Sequence, residues 1–127
     1  MAVDELRQDA MLAHLLDALD DGKDIGHYGR LVFAMVGRYF LDDDDLVGYL
    51  GKDPEFGEAE ARALVAQVRD RDYSPPSRGR ILAWQQEQDF PIISDADDPD
   101  AGNVYRDLRF PDGVYERIEE YHERKAS

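Results

Sequence analysis

The stretch from Ile25 to Leu41, IGHYGRLVFAMVGRYFL, decides how the chain is read. On a helical wheel at about 100° per residue, Ile25, Tyr28, Leu31, Val32, Phe33, Met35, Val36, Tyr39 and Phe40 fill a wide apolar arc. His27, Arg30, Ala34, Gly37 and Arg38 are left in a narrow stripe. A surface helix shows the reverse proportion, so this one is expected to be covered by neighbours on most sides. Asp24 stands where an N-cap belongs, and Gly22 where the preceding helix should stop. Gly26, Gly29 and Gly37 each weaken a helix interior by roughly 1 kcal/mol relative to alanine, a cost usually tolerated where another backbone comes close.

Towards the N-terminus, Asp4 to Asp21 reads as one amphipathic helix. Met11, Leu12, Leu15, Leu16, Ala18 and Leu19 form its apolar face, with Arg7, His14, Asp17 and Asp21 opposite. The short linker before Ile25 returns the chain as a helical hairpin. His14 and Asp17 lie one turn apart and read as a solvated pair.

Towards the C-terminus, the four acids Asp42 to Asp45 read as the first turn of a short helix through Gly51, where negative charge favours a helix N-terminus. A calcium loop would need alternating ligands, a turn glycine and a terminal bidentate acid, none of which follows. Glu58 to Asp70 is a helix with Ala61, Leu64, Val65 and Val68 inward and with Glu58 and Arg62 spaced to pair. Residues 43–71 have helix-turn-helix proportions, yet Glu58-Ala59-Glu60 would meet phosphates with the wrong sign, which excludes DNA recognition through this helix. A further helix starts near Pro76 or Ser77 and runs to about Gln88. Residues 89–103, DFPIISDADDPDAGN, form a long acidic loop whose Phe90 to Ile93 segment is apolar enough to tuck against the core. Val104 to Leu108 forms a helical turn. The last helix begins at Phe110-Pro111-Asp112 and carries Val114, Tyr115, Ile118, Tyr121 and His122 on one face.

The expected fold is therefore all-α: a single helical bundle spanning residues 1–127, with about five to six helices around the buried central helix 25–41.

Composition bounds the function. Twenty-nine acids against fifteen bases give a net charge of −14, which repels nucleic-acid phosphates and favours a basic partner. The charge is uneven: residues 1–61 hold fifteen acids and five bases, whereas residues 62–88 hold three acids and five bases. The absence of cysteine excludes disulfides, thiolate metal sites and Cys nucleophiles. The four serines do not sit in a nucleophile elbow, the three histidines lack zinc-site spacing, and no Gly-rich phosphate loop occurs. No catalytic residue, cofactor or metal ligand is assigned. No apolar run approaches the ~18 residues of a membrane span, and the acidic N-terminus does not resemble a signal peptide, so a cytoplasmic location is expected.

The leading expectation is a non-catalytic regulatory or accessory subunit that binds another protein of basic or mixed-charge surface. Its anchor would be the segment carrying Arg69, Arg71, Tyr73, Arg78, Arg80 and Trp84, since Trp, Tyr and Arg dominate interface hot spots. The bland alternative is that Trp84 is a core anchor and the arginines neutralise surrounding acid. Replacing Arg78 and Arg80 by glutamate is expected to weaken binding and spare the fold. His27, Arg30 and Arg38 form a candidate ligand-facing stripe, against which stands ordinary pairing with nearby carboxylates. A nucleic-acid accessory module using residues 69–84 is the runner-up, and a small metal-dependent enzyme using His27 or His122 with an aspartate comes third.

Overall fold

In the computed structural model, which describes residues 2–116, the N-terminal amphipathic stretch forms two helices instead of one. These are α1 (Ala2–Leu6) and α2 (Ala10–Asp20). The break falls at Asp9, which is extended (φ −92°, ψ 125°) and accepts the Leu12 N–H on its own carboxylate at 3.0 Å. A short acidic side chain that offers the backbone an alternative acceptor starts a new helix instead of continuing the old one. Met11, Leu12, Leu15, Leu16, Ala18 and Leu19 are buried, as their spacing implies. The helix stops at Gly22, whose φ of +70° lets its N–H reach the Leu19 carbonyl while the Lys23 N–H reaches that of Ala18. That pair of bonds satisfies the last carbonyls of α2.

Helix α3 (Gly26–Gly37) is shorter than the stretch read from sequence. Beyond Gly37 the chain tightens: the Tyr39 N–H bonds to Val36, and those of Phe40 and Leu41 both bond to Gly37, which ends the helix. Val32 to Gly37 are all buried, and α3 contacts α2, α4 (Asp43–Leu50), α5 (Glu58–Asp70) and α6 (Arg78–Gln85).

The start of α3 is unusual. Its cap position is Ile25, which has no side-chain acceptor, and the expected cap, Asp24, instead accepts the Gly26 N–H at 2.8 Å. Two distant residues complete the cap. Asp53, fully buried in the turn after α4, accepts the Ile25 N–H at 3.0 Å. Gln88, just after α6, accepts the Tyr28 N–H at 2.8 Å and donates to the carbonyls of Ile25 and Phe90 at 2.9 and 3.0 Å. Gly26 sits at φ +79°, and a Cβ there would lie 2.5 Å from the Gln88 amide oxygen.

Asp42 caps α4 by accepting the Asp45 N–H at 2.8 Å, and Ser77 caps α6 through the Arg80 N–H at 3.3 Å. The first part of the 89–103 loop is anchored, with Ile92 and Ile93 buried and the Ile93 N–H held by Gln85 at 2.8 Å. A short α7 (Val104–Asp107) follows, and residues 112–116 are again helical. Ile118, Tyr121 and His122 lie outside the described residues. Every regular element among the described residues is a helix, so the fold is a small all-α one; the split at Asp9 and the turn at α7 raise the number of helices above the five or six expected.

Gly26→Ala should lower stability by about 1–3 kcal/mol, because it both strains the backbone and displaces Gln88. Gly48→Ala, on α4 with open space at its Cβ, should raise stability by up to about 1 kcal/mol. Urea unfolding monitored by circular dichroism checks both signs.

Candidate interaction surface

The first turn of α3 and the last turn of α6 present their aromatic side chains to each other. Trp84 stacks on Tyr28 with ring centroids 5.5 Å apart and planes 13° from parallel. His27 meets the edge of Tyr28 at 5.1 Å, and the Arg80 guanidinium lies 6.0 Å from the Trp84 ring, at the outer reach of a cation–π contact. Tyr28 and Trp84 are half-buried; His27 and Arg80 are exposed. The geometry joins residues from the two groups singled out in the sequence, His27 from the α3 stripe and Arg80 with Trp84 from the arginine segment. Gln88 holds this arrangement in place, since its hydrogen bonds to Ile25 and Tyr28 tie the end of α6 to the start of α3.

The remaining candidates are engaged elsewhere. Arg30 bridges Asp24 and Asp53 at 3.1 and 3.0 Å and lies over the Phe56 ring at 4.6 Å. Arg38, with 8% of its side chain exposed, bonds Asp72, the Tyr73 carbonyl and the Tyr39 hydroxyl at 2.7, 2.9 and 2.6 Å. Arg69 pairs with Asp43 beside a shallow hollow lined by Asp42, Asp43 and Asp44. Arg78 donates to three backbone carbonyls of the acidic loop, those of Ala96, Asp98 and Ala101, at 2.8, 3.1 and 2.9 Å. Its cation organises that loop, so Arg78→Glu would disturb local structure. Arg71 is exposed and Tyr73 half-buried, both away from the Trp84 stack in sequence and on the far side of the double proline.

His14 is not a solvated partner of Asp17. Its Nε2 lies 3.0 Å from the Pro91 carbonyl and its ring stacks on Phe90 at 5.1 Å, while Arg7 takes Asp17 at 2.8 Å. That aspartate and Asp20 hold the Arg7 guanidinium above its usual range. Among the described residues no group of three or more His, Asp or Glu side chains converges where a metal ion would sit.

Tyr28, Asp53 and Gln88 were missed as site-forming residues. Tyr28 reads as one more member of the apolar arc, and nothing near Asp53 or Gln88 in sequence announces a partner more than twenty residues away. No protein-family model, curated protein or solved structure matches the chain.

The division of the arginines can be measured. Arg38→Ala and Arg78→Ala should each cost about 1–3 kcal/mol, because both break hydrogen bonds made by a charged donor. Arg80→Ala should stay within about 0.5 kcal/mol of the parent. Equal costs in chemical denaturation would contradict the division.

Proposed function

We propose that the protein is a non-catalytic accessory or regulatory subunit that binds another protein through the His27–Tyr28–Trp84–Arg80 surface. The observation that carries this is the half-exposed Tyr28–Trp84 stack flanked by an exposed cation and an exposed histidine. Stacked aromatics held by a capped helix lose little freedom on binding, and Trp, Tyr and Arg are the residue types that supply most interface energy. The partner carries a mixed-charge surface, with an acidic group for Arg80 and basic groups for the surrounding carboxylates. In this account α3 is the centre of a single bundle, supported by its contacts with α2, α4, α5 and α6, and the cysteine-free chain works in the cytoplasm.

Single-stranded nucleic acid is the weaker reading. Tyr28 and Trp84 already occupy one face of each other, and His27 and Arg80 lie against the remaining sides, leaving little platform for bases. The net charge of −14 opposes it further.

The test is a tagged capture from native cell extract with nuclease present, comparing the parent with the doubly substituted His27→Glu, Arg80→Glu protein. Both positions are exposed, so the fold and its thermal midpoint should be unchanged. The expected result is a stoichiometric protein partner retained by the parent and reduced at least tenfold by the double substitution. A partner bound equally by both proteins would remove this surface, and recovery that disappears with nuclease would favour nucleic acid.

A further inference from the structure

The elbow between α1 and α2 places a carboxyl group where water cannot reach it. Asp9 is fully buried; one oxygen accepts the Leu12 N–H, and the other receives no donor from the described residues. The group it faces is the carboxyl of Asp107, at the end of α7 and half-buried. Two carboxylates at hydrogen-bonding range with one of them shut off from solvent cannot both be ionised without strong repulsion. One proton held between them turns the same pair into an O–H···O hydrogen bond.

The surrounding cations do not relieve the pair. Arg7, two residues from Asp9, is turned onto Asp17 and Asp20. Arg106, next to Asp107 on α7, is paired with Asp100 and feels Asp107 only at longer range. On α1, Asp4 and Glu5 are exposed acids, and on α2 the nearest titratable side chain, His14, is taken by Phe90 and the Pro91 carbonyl.

We propose that the Asp9–Asp107 pair is a proton-dependent latch that holds α7 against the α1–α2 elbow when protonated and releases it when the proton leaves. Burial, opposed by the Leu12 N–H and reinforced by Asp107, pushes the Asp9 carboxyl up to about 6. With α7 released, Asp9 returns towards the ordinary carboxylate range near 3.8. The closed form therefore binds more protons than the open one between these values. Its advantage is complete at low pH, declines as pH rises through this window, and is gone above about 6. Asp107 is the half that moves, because α7 is a single turn whereas Asp9 also caps an eleven-residue helix. Opening uncovers Val104, which is otherwise fully buried.

The experiment is amide hydrogen exchange of residues 104–108 in the full chain at pH 5 and pH 8, corrected for intrinsic exchange, with carboxyl carbon NMR titration of the aspartates. The expected result is a loss of protection at pH 8 of up to about a hundredfold, and one coupled titration near neutrality. Asp107→Asn supplies an amide donor at every pH and should keep the segment protected at both values. Asp9→Asn, which retains an N-cap, should do the same and serves if the first variant fails to fold. Equal protection of the parent at both pH values would overturn the latch, as would a pH difference that survives in the asparagine variants.

Discussion

Three side chains hold the start of α3, and much of the remaining structure depends on them. A helix leaves its first N–H groups without partners, and Ile25-Gly26-His27-Tyr28 offers no local acceptor in the usual cap position. Asp24, Asp53 and Gln88 provide the acceptors from the preceding residue, from the turn after α4 and from the end of α6. Gly26 leaves the space for Gln88 to enter. One consequence is mechanical: α3 cannot be completed without bringing residues 53 and 88 to the same place. The other concerns function, because the same hydrogen bonds bring Tyr28 face to face with Trp84.

Electrostatics in so acidic a chain is largely a matter of where the few cations go. Arg62 with Asp44 and Glu58, and Lys52 with Asp20, are exposed pairs whose worth is about 0–1 kcal/mol each. Arg30 and Arg38 differ in kind. Each is mostly covered, each rests on an aromatic ring, and each bonds groups from a distant part of the chain. Arg78 goes further, satisfying three loop carbonyls with one guanidinium in a segment otherwise rich in aspartate. Arg80 makes no comparable commitment, which is why it is the arginine of this group that is placed to meet a partner.

Periodicity made the helices legible. The spacing of Ala61, Val65 and Val68 placed α5 to the residue, and the apolar positions of α2 are the ones found buried. Local capping was readable where donor and acceptor are three residues apart, as at Asp42 and Ser77. What could not be read is long-range polar pairing. Asp9 gave no sign in a wheel plot that it would interrupt a helix, since its effect depends on side-chain hydrogen bonding and not on hydrophobicity. Arg30 and Arg38 were visible as a polar stripe, but their acceptors, Asp53 and the Tyr73 carbonyl, come from loops whose paths depend on the whole fold. The stack of Trp84 on Tyr28 belongs to the same category, because fifty-six positions separate them and only Gln88 brings them together.

Trp84 is the chain's one tryptophan, so its fluorescence reports directly on whether the α3 cap positions the surface. In Gln88→Ala the account predicts a red-shifted emission and faster quenching by acrylamide, with helical circular dichroism retained. An emission spectrum and quenching rate identical to those of the parent would contradict it, and would mean that the Tyr28–Trp84 stack stands without the Gln88 clamp.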